Sequence, residues 1–248
     1  MIASMPEPQL KQVEALIVYG ETCSMESDES PQRVWSNVNS DLFREVAHQT
    51  ATTAFPLYRR SATDPWFGHV EGFRLAASAI LKEVETGNPN QDSMVLPFLV
   101  CWRHYVELHL KSLINQVQFE LGLPVEVPKT HRLDRLWREA ATLIDQSEAF
   151  GDDESQGHVG RLILQLHEMD PTGQEARYPI NTKGSLTLEG LWSLDMRAFH
   201  NEMEGVAGYL KGSEIGIDEH FRFLREVAEK QPRSGDVAVT GNQKSPER

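Results

Sequence analysis

The chain has 248 residues, enough for one large domain or two small ones, and its 40% hydrophobic and 25% charged content is that of an ordinary globular protein. Lys and Arg number 24 against 37 Asp and Glu, a net charge of −13, which excludes charge-driven coating of nucleic acid and leaves room only for a local pocket of a few arginines. No window approaches the roughly 18 uninterrupted apolar residues of a membrane span, Met1 to Glu7 lacks the pattern of a secretory leader, and two distant cysteines, Cys23 and Cys101, fit a reducing cytoplasm, so a cytoplasmic protein with no membrane partner is expected.

Residues 1–40 form an N-terminal arm: one short amphipathic run (Leu10, Val13, Leu16, Ile17) and then a polar, acidic connector from Gly20 to Pro31. A bundle domain is expected over 41–230, opening with a short helix at Asp41 to Ala47. The first long helix starts cleanly at Thr63-Asp64-Pro65-Trp66, where Asp64 can cap free amides and Pro65 suits the first helical position. Phe67, Val70, Phe73, Ala77, Ile80, Leu81 and Val84 keep helical spacing until Gly87-Asn88-Pro89 stops them.

The next helix organises the chain. Asp92 or Ser93 caps it, Pro97 falls in about its first turn, and Leu96, Leu99, Val100, Val106, Leu110, Leu113, Ile114, Val117 and Leu121 make one stripe ending at Gly122-Leu123-Pro124. Phe98, Cys101, Tyr105 and Leu108 add apolar surface elsewhere, and a helix apolar nearly all round is a buried one. A third helix opens at Thr130 or His131 and carries Leu133, Leu136, Trp137, Ala140, Leu143 and Ile144. A fourth holds Val159, Leu162, Ile163 and Leu166 and ends at Met169-Asp170-Pro171. An irregular loop or short hairpin follows around 171–186, then a helix from Leu188 to Tyr209 closed by Lys211-Gly212, and a last one from Ile217 to Glu229. Residues 231–248 read as a disordered polar tail. The fold class is therefore all-α, a bundle of about five main helices, with Trp66, Trp102, Trp137 and Trp192 packing it.

Common catalytic signatures are missing. There is no GxxxxGK[ST] loop, no strand-linked GxGxxG and no GxSxG elbow. Glu45-Val46-Ala47-His48 is the one match to the Glu-x-x-His of di-iron bundles, and two cysteines cannot build a structural zinc site, so neither metal nor cofactor is expected. What stands out is Arg103 inside the apolar stripe. A buried guanidinium needs a partner, and Glu107, one turn on, is the nearest. The expected arrangement is an internal ion-pair network of Arg103, Glu107, Lys111 and Asp170 that fixes the Arg177-Tyr178-Pro179 loop, Tyr178 included. Its functional counterpart is an anion pocket of Arg103 with His104, His131 and Arg177, suited to a nucleotide phosphate. Buried charge left unpaired by protein would favour the pocket.

The series Asp64-Pro65-Trp66-Phe67, then Arg103-His104-Tyr105-Val106-Glu107-Leu108-His109-Leu110-Lys111, then His131-Arg132-Leu133-Asp134-Arg135-Leu136-Trp137, and later Arg177-Tyr178-Pro179, resembles the HEPN-like helical proteins of bacteria over roughly residues 60–212. The resemblance implies a helical bundle, frequent homodimerisation, and a group that includes toxin, phage-defence and RNA-processing components, with RNA or a nucleotide as ligand and an antitoxin-like protein as partner. Catalytic members cut RNA without metal through an arginine and a histidine separated by four to six residues. The histidine handles the ribose 2′-hydroxyl proton and the arginine steadies the phosphate. Carried onto this chain, that gives Arg103 and His109 as catalytic candidates for a metal-independent endoribonuclease. Arg161 and His167 have the same spacing. Composition alone yields roughly 1.7 such matches, so the spacing selects neither pair. The alternative is a non-catalytic HEPN-like interaction or scaffold domain whose polar core is structural.

Overall fold

A computed structural model describes residues 66–87, 90–151 and 154–230, all within one compact unit. The expected arm, the helix at Asp41 to Ala47, the Asp64 and Pro65 start signals and the tail at 231–248 lie outside the described residues. The described residues form five α-helices: α1 (Phe67–Glu85), α2 (Gln91–Glu120), α3 (Leu133–Ser147), α4 (Glu154–Met169) and α5 (Met196–Lys230). Among the described residues there is no strand, only an isolated bridge between Ile180 and Leu186 in the irregular segment before α5. No described helix is long and apolar enough to cross a membrane.

The sequence pattern of α2 explains its central position. Phe98, Leu99, Trp102, Tyr105, Val106, Leu110, Leu113, Ile114 and Val117 are all buried, so the helix packs on several faces rather than along one stripe. Each large side chain fully removed from water contributes about 1.5–3 kcal/mol, and this helix supplies more of them than any other described element. Two local expectations need correction. The helix begins at Gln91, which places Pro97 in its second turn, and Leu96 is 42% exposed rather than part of the buried stripe. The C-terminus ends as the Gly122 signal predicts: Gly122 takes φ +68°, and the Leu123 amide donates back to the Gln118 carbonyl at 2.8 Å.

Helix α1 runs antiparallel to α2, with Phe73 edge-on to His104 at a ring separation of 4.4 Å. Helix α5 runs parallel to α2: Phe98 meets Phe199 near their starts, Gln116 bonds the Glu214 carbonyl in the middle, and Arg225 pairs with Glu120 at the far end. Helices α3 and α4 form an antiparallel pair, tied by Asp134 to His167 at one end and Asp145 to Gln156 at the other. Gly160 allows their close approach, since a β-carbon there would fall 2.4 Å from Trp137 Nε1.

The expected break at Lys211-Gly212 does not occur. Helix α5 continues for 35 residues because Leu210, Ser213 and Ile217 on either side of the glycines are buried against the bundle. That burial outweighs the roughly 1 kcal/mol cost of a helical glycine. Gly216 also has a packing role: a β-carbon there would meet the Phe150 ring at 2.6 Å. The same helix starts at Met196, not Leu188. Asp195 sets this boundary, its Oδ1 accepting the Ala198 amide at 2.9 Å. The segment before it stays irregular, and Trp192 is 92% exposed rather than packed in the core.

Candidate functional site

Arg103 emerges from the middle of α2 with 1% of its surface exposed, where an unpaired charge would be prohibitive. Every nitrogen of its guanidinium is used. Nη1 donates to Glu107 Oε2 at 2.7 Å, Nη2 to the His131 carbonyl, and Nε to the Asp170 carbonyl at 3.2 Å, with Asp170 Oδ2 at 3.8 Å. The side chain thereby joins α2 to the connector before α3 and to the turn after α4. Glu107 Oε1 accepts from Lys111 Nζ at 2.9 Å and lies 2.7 Å from His131 Nδ1. Burial pushes the Glu107 carboxyl up, but hydrogen bonds from Lys111, His131 and Arg103 outweigh it and hold the group below its usual range.

Asp170 organises the loop beyond α4. Its Oδ1 accepts the amides of Gly173, Gln174 and Glu175 at 2.6, 2.9 and 3.2 Å, closing a tight turn around the carboxylate. Gly173 sits in that turn at φ +79°, and a β-carbon there would come within 3.2 Å of Arg103 Cζ. Two buried cations, Arg103 and Lys111, face two buried anions, Glu107 and Asp170, so the cluster is balanced by protein alone.

The remaining sequence candidates divide. His131 belongs to the cluster through its Nδ1 and its carbonyl, yet its side chain is 66% exposed and covers the buried carboxylate from outside. His104 lies beside the cluster, against Phe73. Burial lowers its basicity; Glu107 opposes this, but Arg177, Arg103 and Lys111 add to the lowering, and its buried Nδ1 has no hydrogen-bond partner among the described residues. Arg177 and Tyr178 do not join the network as expected. Both side chains are exposed, Tyr178 at 57%, and the pair is held through backbone bonds of both amides to the Gln174 carbonyl. Asp170, not the Arg177-Tyr178-Pro179 segment, connects the loop to Arg103 because its position at the end of α4 puts its carboxylate directly over the turn.

His109 is also placed elsewhere. Its Nδ1 lies 2.8 Å from the Tyr105 hydroxyl and its Nε2 3.3 Å from Glu214 Oε1 on α5. One tautomer satisfies the whole chain, with Nε2–H donating to the carboxylate and Nδ1 accepting from the tyrosine. Burial pushes the Tyr105 hydroxyl up; Glu214 is raised by burial but held below its usual range by its bonds from His109 and Lys211. Six residues along a helix turn a side chain by about 120° from its predecessor, and Arg103 and His109 accordingly meet different elements and share no partner. The other matching pair fares no better. Arg161 is exposed beside His158, while buried His167 faces Asp134 and Arg132. The bond from Arg132 holds Asp134 down at about 2, and burial lowers His167.

Sequence spacing alone could have signalled the Tyr105–His109 and Glu107–Lys111 pairs, both one turn apart on α2. Glu214 and Gly173 carry no such signal, since each meets its partner only after the bundle closes. Among the described residues no group of three His, Cys, Asp or Glu side chains could hold a metal ion, and the Cys101 thiol is pushed up by burial, away from the reactive thiolate. No protein-family model, no curated protein and no solved structure matches the chain.

Proposed function

We propose that this chain is a HEPN-like interaction domain that acts by holding a macromolecular partner and not by cutting RNA through Arg103 and His109. One observation carries the reading: all three guanidinium nitrogens of Arg103 are bonded to protein, while His109 is closed between Tyr105 and Glu214 on a different side of α2. A phosphate would have to displace the Glu107 carboxylate and two backbone carbonyls from Arg103, and a ribose hydroxyl would have to enter the core to reach His109. The net charge of −13 adds a general penalty to polyanion binding. The test is incubation of purified full-length chain with mixed RNA, beside Arg103→Ala and His109→Ala variants. No cleavage above a boiled control is expected, together with a marked loss of thermal stability in Arg103→Ala. Cleavage that disappears in a stably folded His109→Ala protein would overturn the reading.

A second reading, an RNA-processing effector or toxin with its chemistry at His131, is favoured by a specific geometry. The fixed Glu107 carboxylate engages His131 Nδ1, which leaves Nε2 as the nitrogen available on an exposed ring. His131→Gln separates the two, because a structural bond at a mostly exposed residue changes stability by about 1 kcal/mol or less. RNA cleavage by the native chain that His131→Gln abolishes without unfolding would establish this reading.

A further inference from the structure

At the end of the bundle where α2 and α5 both begin, the last turn of α1, the irregular 191–195 segment and the first turn of α5 enclose a groove of about 540 Å³. Its floor is apolar, made by Leu81, Val95, Leu194 and Met196. At its edge stands Trp192, 92% exposed, the least covered large hydrophobic side chain described in this protein. Tryptophans left so bare on a monomer are costly to hydrate and are the commonest anchors of protein interfaces. The rim is acidic. Glu85, Asp92 and Asp195 line it, and the one cation among the described residues that line it, Arg197, is paired with Glu85.

The two helix starts oppose this charge without cancelling it. Each α-helix N-terminus carries about +0.5 of an elementary charge, whereas Asp92 and Asp195 supply a full negative charge each in the same first turns. Part of the α5 dipole is moreover already taken by the Asp195 cap on the Ala198 amide. The charges of the described lining residues therefore leave a negative balance at the groove, which disfavours phosphates and favours ammonium or guanidinium groups.

We propose that this groove is a docking site for a basic, amphipathic segment of a partner protein, with Trp192 as its anchor. An apolar side chain of the partner fills the floor, and a neighbouring Lys or Arg lays its methylenes across the indole while its charge reaches Asp92. This rests on the interaction-domain reading above and names the class of partner that reading requires.

The test uses the full chain and two synthetic probes, a short leucine–lysine peptide and its leucine–glutamate counterpart, titrated by calorimetry against native protein, Trp192→Ala and Asp92→Lys. The leucine–lysine peptide is expected to bind, and binding should weaken about tenfold or more in each variant, the scale of a lost interface anchor. The leucine–glutamate peptide should not bind. Trp192→Ala should keep the native melting temperature, because the side chain has almost nothing to lose. Equal binding by native and Trp192→Ala protein, or none by either, overturns the groove as the docking site. Neither result touches the interaction-domain reading itself, which only Arg103-, His109- or His131-dependent RNA cleavage would remove.

Discussion

Gly173 lies against the guanidinium of Arg103, so close that a β-carbon on it would sit 3.2 Å from Cζ. The glycine is needed twice, for the contact and for its φ of +79°. Gly173→Ala is therefore expected to cost about 1–3 kcal/mol, from backbone strain and from displacement of the arginine. Urea unfolding measures it, and a midpoint equal to the native one would contradict the packing of this turn on Arg103.

Two helical glycines should respond in opposite directions. Gly160→Ala drives a methyl group into Trp137 Nε1 and should destabilise by about 1–3 kcal/mol. A β-carbon at Gly212 meets nothing within 4 Å, and since α5 is continuous there, Gly212→Ala should stabilise by about 0.5–1 kcal/mol. A destabilised Gly212→Ala protein would restore the break that the sequence alone implies.

Acid should weaken the fold in two stages. His104, His167 and His200 are all lowered from 6.5 by burial, so the unfolded chain takes up protons that the folded chain refuses, and stability falls as pH drops below about 6.5. Asp134, Glu107 and Glu214 are lowered from 3.8, 4.5 and 4.5, so their contribution is complete above about 4.5 and is lost below it, for Asp134 down to about 2. Both stages have the same sign. Denaturant midpoints should fall from neutral pH to pH about 5.5 and again to pH about 3.5, whereas a maximum near pH 5 would contradict the lowered histidines.

The helical skeleton is legible in the sequence because apolar spacing and stop signals act locally. The all-round apolar character of Phe98 to Val117 announces a central helix, and Gly122 announces its end. Local reasoning fails where tertiary burial overrides it. Gly212 reads as a terminator, but Leu210 and Ile217 bury on either side of it, and Trp192 reads as core although the segment that carries it never becomes helical. The same division governs the polar cluster. Arg103 with Glu107 and Lys111 follows from one-turn spacing on a buried helix, and Asp170 from the need to pair a buried charge, whereas His131, expected in an anion pocket, covers the Glu107 carboxylate from outside. The roles of Tyr178 and His109 do not follow, because chain order reveals neither that Asp170 bridges its loop through three amides nor that α5 brings Glu214 to His109.

The central claim is that Arg103 and Glu107 are spent on each other and on the fold. A double-mutant cycle with Arg103→Met and Glu107→Leu tests it directly. In the double variant Asp170 keeps its three amides, while Lys111, with 9% of its side chain exposed, loses its carboxylate partner. Each single substitution removes one partner of the buried pair and should cost about 3–5 kcal/mol, while the double should fall short of their sum by about 2 kcal/mol or more. Singles that add within about 0.5 kcal/mol, or an Arg103→Met protein as stable as the native chain, would show instead that Arg103 is held ready for something other than the fold.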